Sequence, residues 1–67
     1  MRTIEAKDLK VNDVIIRDFI REYRFVVVSI DRITDKAITY TTNRLSPNPY
    51  EGRFFNRSKL TTKINVL

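Results

Sequence analysis

The stretch Phe25-Val-Val-Val-Ser-Ile30 decides the fold class of this 67-residue chain. Three consecutive valines disfavour a helix and suit a strand, because a β-branched side chain is restricted on a helix and packs well on a pleated sheet. After the polar residues 31–36, the segment Ala37-Ile-Thr-Tyr-Thr-Thr42 alternates apolar or aromatic side chains with threonine. Two such runs joined by a short polar turn predict an antiparallel β-hairpin.

Segments outside this hairpin extend the β pattern. We expect further strands at residues 14–17, 53–57 and 60–66. Residues 43–52 hold both prolines and the only glycine, so we expect one long loop there, since proline lacks the N–H that a sheet ladder needs. The chain is therefore predicted to be all-β, or β-rich with one short helix, in a single small domain that spans residues 1–67.

Residues 13–24 also fit a different pattern. Ile16, Phe19, Ile20 and Tyr23 have the i, i+3, i+4, i+7 spacing of an amphipathic helix. The alternative fold is therefore α+β, with a helix near residues 13–24 packed on an antiparallel sheet. In that fold Phe19 and Ile20 belong to the core, whereas in the all-β fold they are exposed in a charged loop.

The segment Ile4-Glu-Ala-Lys-Asp-Leu-Lys-Val-Asn-Asp-Val-Ile15 leads into the first predicted strand. It resembles the opening turn of small SH3-like β-barrels, in which a leucine, any residue, valine, glycine, aspartate, valine sequence starts the first strand. Here Asn12 stands where glycine is usual, and asparagine tolerates a left-handed backbone. Residues 57–66 resemble the short turn and final strand of the same barrels.

This resemblance implies a small five-stranded SH3-like barrel. Such barrels bind nucleic acids or peptides, or serve as subunits of larger machines, so the fold leaves the function open. The small, cysteine-free format also resembles the accessory proteins that bacteriophages encode.

The absence of cysteine and histidine excludes several kinds of chemistry. Disulfides, thiolate or imidazole metal sites and a catalytic imidazole all need one of these residues. We therefore expect a protein that is not an enzyme and has no metal and no cofactor. No apolar run is long enough for a signal peptide or a membrane span, so we expect a cytoplasmic protein of a bacterial or phage-infected cell that does not contact membranes.

The charge is distributed unevenly. Residues 1–35 carry seven basic and seven acidic side chains, whereas residues 36–67 carry six basic side chains and one acidic one, so the whole net charge of +5 belongs to the second half. A surplus confined to one stretch produces a local field, which indicates an anionic partner.

The predicted strand at residues 53–57 concentrates this signal. Alternation places Arg53, Phe55 and Arg57 on one face and Phe54 on the other. An exposed aromatic ring between guanidinium groups suits single-stranded nucleic acid, because the ring stacks on a base while arginine binds phosphate. The predicted binding residues are Arg44, Tyr50, Arg53, Phe55, Arg57, Lys59 and Lys63.

Two functions follow from these patterns. The first is a non-catalytic nucleic-acid-binding module that uses the basic and aromatic surface in residues 44–63, binding single strands or binding without sequence specificity. The alternative is a protein-binding module or inhibitor, of the phage accessory type, that docks on an acidic surface of a host enzyme with Phe19 and Ile20 as apolar contacts. A homodimer through an edge strand at residues 60–67 is a further expectation.

Overall fold

The computed structural model describes residues 1–18, 20–21, 23–46 and 48–67, with the backbone alone at residues 18, 50 and 51. These ranges form one antiparallel sheet. Its strands are β1 (Arg2–Glu5), β2 (Val14–Asp18), β3 (Tyr23–Ile33), β4 (Ala37–Ser46), β5 (Tyr50–Lys59) and β6 (Lys63–Val66). Helical structure in the described ranges is limited to one 3-10 turn, Ala6–Asp8.

The all-β prediction is therefore confirmed, and the alternative helix over residues 13–24 is wrong. Of those residues, 14–18 belong to β2, 20–21 to a turn, and 23–24 to the start of β3. The helical spacing of the apolar residues does not determine the structure here, because strand pairing between β2 and β3 takes precedence. In that pairing Ile15 lies opposite Phe25 and Val14 opposite Val26. In the described ranges, no helix is long and apolar enough to cross a membrane.

The strand order is β1-β6-β2-β3-β4-β5, and β1 and β5 are the two edges. The sheet is not closed, so the five-stranded barrel is not formed as expected. The prediction also missed β1, a short strand in which two of the four residues are charged. The expected free edge at residues 60–67 is wrong, because β6 pairs with β1 on one side and with β2 on the other.

The sheet nevertheless curls around a core. Ala6 and Leu9, at the 3-10 turn, are buried, and the Ala6 and Lys7 amides donate to the carbonyls of Thr62 and Leu60 at 2.9 and 3.0 Å. This turn also contacts β4 and β5. The core cluster consists of Ala6, Leu9, Ile15, Val27, Ile38, Tyr40, Ile64 and Val66.

The turn before β2 has the backbone expected from its sequence. Asn12 has a φ of 78°, so the predicted left-handed conformation is confirmed. Its amide donates to the Val27 carbonyl at 2.8 Å, and the Val27 amide donates to the Asp13 carbonyl at 2.8 Å. The Lys10 amide donates to the Asp13 carboxylate at 2.9 Å. The left-handed residue thus lets the turn dock on β3.

The long loop expected at residues 43–52 is wrong in extent. β4 continues to Ser46 and β5 begins at Tyr50, with Arg44 opposite Tyr50 in the register. Pro49 lies in the short connection, where no ladder donor is needed. The register shifts between Asn43 and Arg44, and the two strands together take up residues 43–46 and 50–52 of the predicted loop.

Candidate functional site

The two faces of the sheet differ in character over strands β3, β4 and β5. The inner face carries Ile38, Tyr40 and Thr42, which are buried. The outer face carries the residues that alternate with them. Directly paired residues form three rows across the outer face: Arg32, Thr39 and Arg57; Ser29, Thr41 and Phe55; and Val26, Asn43 and Arg53.

Four side chains on the outer face of β5 form a basic and aromatic row, the β5 strip, made of Arg53, Phe55, Arg57 and Lys59. All four are exposed, and Phe55 is 82% exposed. Among the carboxylates whose side chains are described, none lies within ion-pair distance of Arg53, Arg57 or Lys59. Within the described residues, the strip therefore presents an aromatic face and positive charge without an ion-pair partner along an edge strand.

Two cations outside the predicted set extend the strip. Arg32 on β3 lies in the same row as Arg57, with Thr39 between them. A depression of about 200 Å³ is lined by both arginines and Thr39. On the other side of Arg57, Lys36 and Lys59 line a depression of about 680 Å³. Arg57 therefore separates two concave surfaces that are both lined by a second cation.

The sequence pattern missed Arg32 and Lys36 for an identifiable reason. Arg32 belongs to the electrically neutral first half, and Lys36 to the hairpin turn. The predicted hairpin could have revealed both residues. Pairing residues 25–30 with residues 37–42 places residues 32 and 36 beside the turn that joins the two strands.

Acidic groups also lie on this face. The Asp31 carboxylate accepts hydrogen bonds from the hydroxyls of Thr41 and Ser29, at 2.7 and 2.8 Å. These bonds, the one from Thr41 first, hold the pKa of Asp31 below its ordinary value of 3.8, so the group stays negative. Asp35 lines the larger depression. In the described part of this face, the strip, Arg32 and Lys36 contribute five cations against these two carboxylates.

The other predicted binding residues do not join the strip. Arg44 is half-buried, is paired in the register with Phe25 of the inner face, and donates from Nε to the Asn48 carbonyl at 3.0 Å. Lys63 lies on β6, with its Nζ 3.6 Å from a Glu5 carboxylate oxygen. The side chain of Tyr50 lies outside the described residues.

The two adjacent phenylalanines have different environments. Phe54 points to the inner face and is 37% exposed, with its ring centroid 5.7 Å from that of Phe25 in an edge-to-face contact. Phe55 projects from the opposite face. The predicted alternation is thus present, although Phe54 packs at the margin of the core cluster and is not one of its buried members.

The structure describes only one residue of the predicted apolar pair, Phe19 and Ile20. Ile20, in the turn between β2 and β3, is 94% exposed, so it is not a core residue. Phe19 lies outside the described residues. Ile20 therefore remains a candidate for a protein contact, separate from the β5 strip.

The inner face carries a polar network that the sequence did not reveal. Arg17 Nη2 donates to the Tyr40 hydroxyl at 3.3 Å and to Asn56 Oδ1 at 3.1 Å. The Tyr40 hydroxyl lies 3.2 Å from Ser58 Oγ, and the Arg17 guanidinium lies 5.9 Å from the centre of the Phe25 ring. The network joins β2, β4 and β5 where the sheet remains open.

In the part of the chain that the structure describes, no group of three or more carboxylates lies together where it could hold a metal ion. Comparisons of the chain with protein-family models, curated proteins and solved structures found no match. A functional assignment must therefore be argued from the β5 strip and from the exposed Ile20.

Proposed function

We propose that this chain is a non-catalytic module that binds single-stranded nucleic acid through the β5 strip. The observation that carries the proposal is the exposure of Phe55 between Arg53 and Arg57 on one face of an edge strand. A large aromatic ring that is 82% exposed gains nothing from the core, and it is flanked by two groups that favour phosphate.

The spacing of the strip suits this ligand. Alternate residues on a strand lie about 7 Å apart, so Phe55 stands midway between two guanidinium-bearing positions separated by about 13 Å. A base that stacks on Phe55 leaves the phosphates on either side within reach of the long arginine side chains. Stacking on a ring face requires an unpaired base, so we expect single strands to bind more tightly than duplex.

The neighbouring cations support the same function. Arg32 and Lys36 widen the positive surface beyond β5, toward the turn between β3 and β4. Asp31 works against an anion at the centre of this face, so its negative charge limits the affinity. Because stacking and phosphate contacts carry little sequence information, we expect low sequence specificity.

We also propose that the fold is an opened relative of the SH3-like barrels. Two observations support this: the left-handed Asn12 in the turn before β2, and the curl that lets Arg17 on β2 reach Asn56 on β5. Whether or not the fold is related to these barrels, the proposed ligand is the same, because the proposal for single-stranded nucleic acid rests on the β5 strip.

Fluorescence anisotropy with short labelled oligonucleotides tests the function. Single strands should bind more tightly than duplexes, and log K should fall linearly with log salt concentration, by about 0.7 per phosphate contact for a single strand. Arg57→Gln and Arg32→Gln should each weaken binding and reduce that slope. Lys10→Gln, which makes the same charge change on the connection between β1 and β2, is the matched control. Absence of binding at about 50 mM salt would refute the proposal.

A second candidate is a protein-binding module or inhibitor of the phage accessory type, which docks on an acidic surface of a host enzyme. The exposure of Ile20 favours it, since a large apolar side chain in a charged turn is typical of an interface. Pull-down from a bacterial lysate after nuclease digestion separates the candidates. A partner that is still captured after digestion, but not by Ile20→Ser, supports the protein-binding module. Capture that is lost on digestion supports the nucleic-acid-binding module.

A further inference from the structure

The open side of the sheet contains a second polar site, on the face opposite the β5 strip. A depression of about 250 Å³ lies there, between β5 on one side and β2 and β6 on the other, and we call it the seam. The polar residues that line it are Arg17, Tyr40, Ser58, Thr62, Lys63 and Asn65.

Arg17 is unusual for its position. Two residues after the buried Ile15, it lies at a register shift between Ile16 and Asp18, where an exposed side chain would ordinarily extend into solvent. The guanidinium is instead held in place by the Tyr40 hydroxyl, the Asn56 side-chain oxygen and the Phe25 ring. Tyr40 is 1% exposed, so it is a fixed anchor.

The donors of Arg17 are only partly used. Both contacts to oxygen involve Nη2, whereas a guanidinium has five N–H donors in a rigid fork. In the described part of the chain, the remaining three have no hydrogen-bond partner and no carboxylate lies within 4 Å. Among the described residues, the Arg17 fork thus has neutral hydrogen-bond partners and no counter-ion.

The rest of the lining favours an anion. Lys63 is a second cation among the lining residues; it alternates along β6 with the buried Ile64, and a Glu5 carboxylate oxygen 3.6 Å from its Nζ partly neutralises it. Ser58 and Thr62 add hydroxyl groups. Among the described lining residues there is no carboxylate. An arginine fork, an ammonium group and hydroxyls match the several acceptor oxygens of a phosphate.

We propose that the seam is a binding site for a single phosphate group, held by the fork of Arg17 with Lys63 and Ser58 beside it. The volume limits the ligand, because about 250 Å³ is below the range of roughly 300–1,000 Å³ of cavities that enclose a drug-sized molecule. The group is therefore free phosphate or the terminal phosphate of a longer ligand. This site is independent of the function proposed for the β5 strip.

Side-chain NMR of the ¹⁵N-labelled protein tests the site directly. Inorganic phosphate replaces chloride at constant ionic strength while the Nε–Hε signals of the arginines are followed. We expect a saturable shift of the Arg17 signal with a midpoint of a few millimolar, weak in keeping with a single ion. A shift that stays linear to about 20 mM and is no larger for Arg17 than for Arg21 would overturn the proposal.

A second arm identifies the source of the phosphate. A dinucleotide with a 5′-phosphate is compared with the same dinucleotide ending in a hydroxyl. A saturable Arg17 shift with the phosphorylated form alone supports a terminal phosphate, and a shift with inorganic phosphate alone supports the free anion. Equal shifts from both dinucleotides, without an effect of inorganic phosphate, would contradict a phosphate site.

Matched variants complete the test. Arg17→Lys keeps the charge but removes the fork, and it should weaken phosphate binding about tenfold. Arg21→Lys makes the same change in the turn between β2 and β3 and should leave phosphate binding unchanged. Unchanged binding in Arg17→Lys overturns the assignment. If Arg17→Lys does not fold, the titration of the unmodified protein decides alone.

Discussion

The Arg17 guanidinium on β2 donates a 3.1 Å hydrogen bond to the side-chain oxygen of Asn56 on β5, although β3 and β4 separate these strands in the sheet. The same guanidinium reaches the Tyr40 hydroxyl on β4. Asn56 in turn donates from Nδ2 to the Thr42 hydroxyl at 3.1 Å. Side chains therefore connect across the opening where backbone pairing does not, and each bond depends on its neighbours.

This relationship predicts the effect of removing Arg17. Arg17→Ala should lower the free energy of unfolding by about 1–3 kcal/mol, because Tyr40 and Asn56 each lose a charge-assisted hydrogen bond. Urea unfolding followed by circular dichroism measures the change. Arg53→Ala, on the outer face, is the control and should stay within about 0.5 kcal/mol of the unmodified protein. Equal effects of the two variants would show that the network does not stabilise the fold.

Asn12 offers a second test of how the chain folds. Its φ of 78° is unfavourable for a residue with a Cβ other than asparagine or aspartate. Asn12→Ala should therefore cost about 1 kcal/mol of stability. Asn12→Gly should stay within about 0.5 kcal/mol, since glycine relieves strain in the folded state but loses more entropy on folding. A loss with glycine as large as that with alanine would mean that the asparagine side chain, not the backbone, is required.

The sequence was sufficient to predict the central hairpin and the left-handed turn because both are local. Three valines and the alternation at residues 37–42 reflect contacts between neighbouring strands, and Asn12 acts through its own backbone. The extent of β4 and β5 was not predictable in the same way. Pro49 lies between the two strands, and tertiary pairing extends β4 to Ser46 and starts β5 at Tyr50.

The candidate site was only partly predictable, for a related reason. Alternation along one strand brings Arg53, Phe55 and Arg57 together, which a local pattern can show. The addition of Arg32 requires the register of β3 on β4 and of β4 on β5, which is a long-range property. Arg17 is harder still, since its inner-face position depends on how far the sheet curls.

Asp31 gives a pH-dependent prediction. Hydrogen bonds from Thr41 and Ser29 lower its pKa in the folded protein below the ordinary value of 3.8. A depressed pKa in the folded state contributes stability that is present above pH 3.8 and is lost as the pH falls through the folded value. The difference in urea midpoint between the unmodified protein and Asp31→Asn should therefore shrink below that pH. Asp8→Asn serves as the control, and the same profile in both variants would contradict this role of the hydrogen bonds.

The adjacent phenylalanines predict opposite outcomes for stability and binding. Phe55→Ala should leave the free energy of unfolding within about 0.5 kcal/mol, because the ring is exposed. It should weaken single-stranded oligonucleotide binding by about 1–3 kcal/mol, the usual value of one stacked base. Phe54→Ala should instead cost about 1–3 kcal/mol of stability, through its contact with Phe25 and its partial burial.

Anisotropy and urea unfolding on the same two variants measure both quantities. At a temperature where Phe54→Ala remains folded, its oligonucleotide affinity should match that of the unmodified protein, because its ring lies on the inner face. Phe55→Trp should bind at least as tightly, since it keeps an aromatic face at the same position. If Phe55→Ala and Phe54→Ala lose affinity equally, binding depends on the integrity of β5 and not on stacking, and the role proposed for Phe55 would be wrong.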